Sequence, residues 1–397
     1  MLDKDFLICK VRTELFEFIQ PMTEQLDRPR KKFLRQVIGA ILLSGSLVVT
    51  EIARWVRDGC SDRFYQLKRL LNHLVSLEGD LSEAICSYRQ FMSRYIQQET
   101  PILIDITDIA KPRARRMKYL AMVRDGSEDK LVPGYWCVEV YAHLKGKRVL
   151  PLAMDVFSID DPVIGSQNLQ IDKTVKAVNE AINNKGVWVA DRGFDGSNSY
   201  ETWFSQKCNF VVRQRGDRNV ITTNNVCILE RDLVEHIRQN NPQCDIVWAK
   251  VYLPNNKKPL YLVASFQQGY DEPLILLTTL VVENIQQAKQ VLWYYGRRWT
   301  CEEAGRFLKN RVGLERFRIR RYEAIKRLAI LAMFAMGFLT WVLITSRQIT
   351  IWLLSFTSRF RKQVPFIYYR LLDGLQEFGR LRYPSRDKLL PLPLENG

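Results

Sequence analysis

The hydrophobic period of this chain changes at Pro101, and the change divides what it can fold into. Before it, apolar residues recur at helical spacing in Phe6–Ile19, Phe33–Leu43, Val48–Val56, Phe64–Leu77 and Leu81–Ile96. Breaks fall at Pro21, Pro29, Ser44-Gly45-Ser46, Asp58-Gly59 and Glu78-Gly79-Asp80. Residues 1–98 therefore read as an all-helical N-terminal domain. Helices either side of Ser44-Gly45-Ser46, with a third opening at Ser61-Asp62, suit a helix-turn-helix that reads DNA through Arg63, Gln66, Lys68 and Arg69. A plain helical bundle suits the same pattern. The charge of residues 1–100, 15 Lys/Arg against 13 Asp/Glu, does not choose between them.

After Pro101 the apolar runs become short. Ile102-Leu103-Ile104 reads as a buried strand ending in Asp105, followed by Ile106-Thr107-Asp108 and the basic run Lys111, Arg113, Arg115, Arg116 and Lys118. Trp136, Val138, Val140 and Ala142 alternate as a half-buried strand, and a turn at Lys145-Gly146-Lys147 leads to its hairpin partner, Val149–Val156. Ile171–Ile182 is helical, and Val187–Ala190 is a buried strand ending in Asp191 of DRGFDG. A helix near Tyr200–Gln206 and a strand Phe210–Arg213 follow. Three strands, a helix, a strand, a helix and a strand is the order of a ribonuclease-H-like α/β core, placed here at residues 99–327.

A β-rich insertion at about 216–282 (Ile246–Val251, Leu260–Ser265, Leu274–Leu280) interrupts that core. Its Trp248 suits either the core of a small sheet or a contact to a ligand. In an open α/β sheet the ligand crevice lies beyond the carboxyl ends of the strands, where Asp105 and Asp191 are expected. Asp108 is the rival for the first position, and Asp195 reads as the cap of the helix after DRGFDG. Both aspartate segments are also good turn sequences.

Further on, Tyr295, Arg298, Glu302 and Lys309 stand three, four and seven residues apart. At about 100° per residue, one face of a continuous helix carries all four. A carboxylate flanked by two cations and a phenol suits a divalent metal beside phosphates. A solvated face with an Arg298–Glu302 pair has the same spacing.

The full pattern, Y-x2-R-x3-E-x6-K, together with DRGFDG after a strand, resembles the signature of the insertion-sequence-4 family of DDE transposases. The resemblance runs from about Ile102 to Arg327. It implies that Asp105, Asp191 and Glu302 are the catalytic carboxylates and hold two Mg2+ ions, with Mn2+ as a substitute. It implies cut-and-paste transposition by end nicking, hairpin formation and opening, and strand transfer. Tyr295, Arg298 and Lys309 would grip the DNA end. Trp299, by its own place in that pattern, suits either stacking on an unpaired base or packing on the core, and Arg213, leaving its strand, suits a phosphate contact. The implied partners are terminal inverted repeats and target DNA, with a homodimer in the synaptic complex. A ribonuclease-H-fold nuclease or resolvase without strand transfer is the competing reading; it would keep the three acids but lack the Tyr-Arg-Lys array.

Charge points to a polyanion. Of the net +16, residues 286–397 carry +13, from 21 Lys/Arg against 8 Asp/Glu. Between Arg297 and Arg327 stand 11 Lys/Arg with Phe307, Phe317 and Tyr322 interleaved, suited to salt-sensitive phosphate binding. Leu328–Ile344 is uncharged and borderline in length for a membrane span. Because it continues directly from the basic segment, it reads as a buried helix closing the core or as a subunit contact, with no membrane partner. The rest of 328–397 reads as a basic segment with an irregular end at Pro384, Pro391 and Pro393. Eight cysteines lie singly with no CxxC, which excludes a zinc ribbon or a disulfide framework and predicts reduced thiols in a cytoplasmic protein, prokaryotic and nucleoid-associated by the resemblance. The start, MLDKDFLICKVRTELFEF, is amphipathic with acids and does not read as a signal peptide.

Overall fold

The computed structural model describes residues 4–56, 62–76, 80–126, 129–267, 269–357 and 364–382. Five helices lead: α1 (Lys4–Thr23), α2 (Arg28–Ser44), α3 (Val49–Ala53), α4 (Arg63–Ser76) and α5 (Asp80–Met92). Pro21 does not end α1, which runs on to Thr23. Pro29 opens α2, where it costs no hydrogen bond, and the Asp27 side chain accepts from the Arg30 N–H at 2.9 Å. The breaks expected at Asp58-Gly59 and Glu78-Gly79 lie outside the described residues, as do Cys60, the Arg63 side chain and the proline-bearing tail. Two of the residues expected on a DNA-reading face turn inward instead. Gln66 is buried, and Arg69 donates to Gln36 Oε1 of α2 at 2.8 Å.

The strands are β1 (Pro101–Ala110), β2 (Ala121–Asp125), β3 (Lys130–Leu144), β4 (Arg148–Phe157), β5 (Val187–Ala190), β6 (Asn209–Arg213), β7 (Asn219–Thr222), β8 (Cys227–Leu229), β9 (Ile246–Leu253), β10 (Asn256–Ser265) and β11 (Leu274–Thr278). They form one sheet. β1, β3 and β4 make an antiparallel meander; β5 joins β1 in parallel, and β6 joins β5 in parallel. Helix α6 (Gln167–Ala181) leads from β4 into β5, and α7 (Ser197–Ser205) connects β5 to β6. β11 then pairs antiparallel with β6, and β10, β9, β7 and β8 carry the sheet onward. The β-rich stretch is thus hydrogen-bonded into the central sheet, and it contains a helix that the residue pattern did not suggest, α8 (Glu230–Asn240). Its Trp248 packs half-buried against the core. Helices α9 (Ile285–Gly296), α10 (Trp299–Arg306), α11 (Tyr322–Thr345), α12 (Arg347–Ser355) and α13 (Ile367–Arg382) complete the described chain.

Two strand expectations need correction. β1 does not stop at Asp105 but pairs with β3 as far as Ala110, which places Asp105 in mid-strand. β3 is not half-buried. Cys137, Glu139 and Tyr141 are as buried as Val138 and Val140, because helices cover both faces of this central strand.

β4 pairs only with β3, so its outer edge needs cover. Side chains of three helices supply it. Tyr88 and Arg89 of α5 donate to the carbonyls of Pro151 and Leu152, both at 2.7 Å. Thr340 of α11 and Tyr368 of α13 donate to the Val149 carbonyl at 2.6 and 2.8 Å. The N-terminal and C-terminal helices therefore share one core with the sheet. The uncharged run lies in α11, which is long and apolar enough to cross a membrane but is packed inside, against β4, α2 and α4. Each fully buried Leu, Met or Phe there stabilises the fold by roughly 1.5–3 kcal/mol. The cysteines among the described residues are free thiols.

Gly337 makes that docking close, since a Cβ there would collide with the Tyr88 ring and hydroxyl. Helix propensity alone favours Gly337→Ala by about 1 kcal/mol. Overpacking at so close an approach to Tyr88 costs about 2–3 kcal/mol, so the substitution should destabilise by about 1–2 kcal/mol net in urea unfolding. A stabilised variant would mean that α11 does not press on α5 as described.

Candidate active site

Three strands and one helix meet where β1, β3 and β5 lie side by side beneath α10. Asp105 leaves β1 in mid-strand and its carboxylate accepts from the Ile106 N–H at 2.9 Å. Asp191 follows the last residue of β5 and accepts from the Arg192 N–H at 2.8 Å, so it starts a short turn of helix as well as facing the site. Glu302 sits in the first turn of α10, 2.7 Å from Arg298. Tyr295, at the end of α9, donates its phenol to Asp191 at 3.1 Å, and Arg213 at the end of β6 comes within 4.0 Å of the same carboxylate. Thus Asp105, Asp191, Glu302, Tyr295, Arg298 and Arg213 are brought together from positions up to 197 residues apart.

The electrostatics agree with the geometry. Burial pushes the Asp105 carboxyl up; Arg298 pulls it down, and Asp191 and Glu302 push it up again, to about 6. Burial alone would lower the Arg298 guanidinium, but Asp191, Tyr295, Glu302 and Asp105 together hold it above the ordinary arginine value. One cation therefore serves three carboxylates. Asp108, the rival, lies apart from this group, in an ion pair with Lys309 at 3.1 Å.

Lys309 does not share the face of the other three. α9 ends at Gly296, α10 starts afresh at Trp299, and Phe307–Val312 winds as a π-helix. Uniform rotation of 100° per residue fails across those two irregularities. Lys309 consequently turns to Asp108 and, at 3.6 Å, to Glu315. Trp299 stands 65% exposed beside Arg298 and free of the core. Asp195 is not the helix cap it resembled: Gly196 occupies the cap position of α7, and Asp195 accepts from Arg218 at 2.7 Å and from the Arg215 N–H at 3.0 Å. It ties the DRGFDG turn to the start of the β-rich stretch.

One residue of the site was missed. Glu139 of β3 pairs directly with Asp105 across the sheet and is 2% exposed. Its Oε2 accepts from the Tyr141 hydroxyl at 3.1 Å, while Oε1 is buried without a partner. Gly305 of α10 lies over it; a Cβ there would stand 2.9 Å from Oε2. Burial pushes the Glu139 carboxyl up, Lys309 pulls it down and Asp105 pushes it up again, to about 7. A lone acid inside the apolar run Tyr135–Ala142 was the available signal.

A hard divalent cation fits the chemistry of this donor set, because all three groups are carboxylates and their mutual charge is only partly offset by Arg298. As the side chains stand, no three His, Cys, Asp or Glu among the described residues are close enough to hold one. Glu302 is drawn to Arg298 instead.

Fold and site together define a class: a mixed α/β protein whose central sheet gathers acids among arginines. A family model described as a transposase DDE domain matches residues 99–338, and the chain belongs to the DDE transposases. No curated protein matches it. Among solved structures, a cryo-EM structure of the piggyBac transposase synaptic complex with hairpin DNA is similar at 10% identity and a TM-score of 0.48, covering 95% of this chain and 80% of that one.

The raised Glu139 carboxyl gives a test by pH. An ordinary glutamate titrates near 4.5, so the folded protein holds this proton more tightly than the unfolded chain does. The resulting stability is complete below pH 4.5 and is lost as pH rises through about 7. Glu139→Gln should remove that dependence, gaining on the order of 1–3 kcal/mol on the wild type between about pH 5 and pH 8. Equal pH profiles in urea unfolding would show that Glu139 is not buried as described.

Proposed function

We propose that this chain is an insertion-sequence-4 type transposase that cuts and rejoins DNA through Asp105, Asp191 and Glu302. The observation that carries the reading is their convergence around Arg298, which holds Glu302 at 2.7 Å and pulls the Asp105 carboxyl down while Asp191 and Glu302 push it up. The strand order β4-β3-β1-β5-β6, with β5 and β6 parallel to β1, supports a ribonuclease-H-like core. The family match supports a polynucleotide substrate.

Asp105, Asp191 and Glu302 would hold Mg2+, or Mn2+ in its place, two ions to a site. Bound there, such ions supply Lewis-acid activation of the phosphodiester and of the attacking oxygen. The protein's own groups do the rest. Tyr295 fixes the Asp191 carboxylate through its phenol. Arg298 balances the acids and, once they are engaged elsewhere, can turn its donors to a phosphate oxygen. Arg213 stands at the same edge, and exposed Trp299 offers a ring for an unstacked base. Lys309 is assigned a supporting part, holding Asp108 and Glu315 against the site. We read the reaction as end nicking, hairpin formation and opening, and strand transfer, in a homodimer that pairs two inverted repeats.

The test is cleavage of a plasmid carrying the gene's own flanking DNA, with Mg2+ or Mn2+. Wild type should release the segment at the repeat ends. Asp191→Asn should lose at least about a thousandfold in rate while keeping the fold by circular dichroism. Cleavage by the variant at the wild-type rate would sink the assignment, and cutting indifferent to the repeats would replace transposition with a simple nuclease activity.

A further inference from the structure

Two basic segments some two hundred residues apart in sequence form the walls of one cleft. Lys111–Arg116, following β1, faces Arg316–Arg320, following the π-helix, across a cavity of about 610 Å³. The second wall alternates in burial. Phe317 and Ile319 are in the core, while Arg316, Arg318 and Arg320 are exposed, as in an extended chain. At about 3.3 Å per residue, those arginines recur every ~6.6 Å along the cleft.

The walls are clamped to each other at two points. Buried Lys111 donates its ammonium to the carbonyls of Glu315 and Phe317 and lies 3.5 Å from the Phe317 ring centre. At the other end the Lys118 N–H donates to the Arg320 carbonyl at 3.2 Å. Between the clamps the arginines have no counter-ion among the described residues. Among the described residues, Arg113, Arg115, Arg116, Arg316, Arg318 and Arg320 form no ion pair. Glu315, the one acid of the lining, is already engaged by Lys309. Elsewhere, partly buried cations such as Arg218, Arg298 and Arg311 are paired with carboxylates.

A second cavity, of about 560 Å³, shares Arg318 and Arg320 and is closed by Leu71, Asn72, Val75 and Ser76 of α4. The cleft therefore continues from the sheet towards the N-terminal helices. Its near end lies at Ala110, five residues along β1 from Asp105, which is about 17 Å. Duplex DNA rises 3.4 Å per step along each strand, so that distance is about five base pairs.

We propose that this cleft is a track for the backbone of duplex DNA, separate from the carboxylate site and gripping the DNA about five base pairs from the bond that Asp105, Asp191 and Glu302 act on. This rests on the transposase reading for its register, but not for its binding. Six uncompensated arginines on two facing walls match the two-sided charge of a duplex, and an extended wall follows a strand of phosphates without reading bases.

The experiment uses the full chain and a labelled duplex of about 30 base pairs and arbitrary sequence, titrated between about 50 and 200 mM salt. Arg116→Ala/Arg318→Ala/Arg320→Ala should weaken binding about 10–100-fold and lower the logarithmic salt slope by about 2–3. Arg116→Lys/Arg318→Lys/Arg320→Lys, which keeps the charge, should bind with a slope near wild type. This second variant separates loss of charge from loss of fold. Hydroxyl-radical footprints of wild type on repeat-end DNA should show a protected patch about five base pairs from the cut, absent in the alanine variant. An alanine variant with wild-type affinity and slope would overturn the track, as would preferential binding of a structured RNA through the same arginines. If instead the track behaves as described but wild type cuts no DNA, the transposase mechanism fails and the track stands.

Discussion

Asp105 and Glu139 are direct partners across β1 and β3, two acids side by side near the middle of a covered sheet. Burial raises both carboxyls, and Asp105 raises Glu139 further, as Asp191 and Glu302 raise Asp105. Such a pair is tolerated only if cations stand close, and here each acid has its own. Arg298 lowers Asp105 and Lys309 lowers Glu139. Because both cations belong to the segment Trp299–Val312 or its edge, that segment must sit over the sheet. Gly305 permits it, since nothing larger fits above Glu139. The position of Glu302, in the first turn of α10 beside Arg298, follows from the same charge balance.

The helical irregularities serve that balance. A continuous helix from Tyr295 to Lys309 would put both cations on one face, both over Asp191 and Glu302. The restart at Trp299 and the π-helix at Phe307–Val312 divide them, one to the carboxylate group and one to Asp108 and Glu139. The signature spacing thus encodes two adjacent charge clusters that share a sheet. Asp195 has a comparable part at the other end, where its pairing with Arg218 anchors the turn that bears Asp191.

At the opposite side of the sheet, β4 decides how the helices assemble. Its unpaired carbonyls are taken by Tyr88, Arg89, Thr340 and Tyr368, which come from three helices distant in sequence. With α11 buried against β4, the segment between the π-helix and α11 is stretched across the end of β1, where Lys111 receives it. The arginine cleft is therefore a consequence of where α11 is docked. Its charge is legible in composition, but its walls exist only after that docking.

The residue pattern by itself determined the strand-helix order of the core from β3 to β6, the helical spacing that brings Tyr295, Arg298 and Glu302 close, the place of Asp191 at the end of β5, and the burial of Leu328–Ile344. These are local properties: an apolar period, an acid after a short apolar strand, a spacing on one helix. Strand position does not separate Asp105 from Asp108, since β1 runs on past both. What distinguishes them is which helix lies above, a long-range fact. Glu139, the pairing of Lys309 with Asp108, the part played by Asp195 and the arginine cleft were decided only by the tertiary structure. In each case the energy lies between groups brought together by strand pairing or helix docking, and no period or spacing along one chain reports the field of a charge that arrives from two hundred residues away.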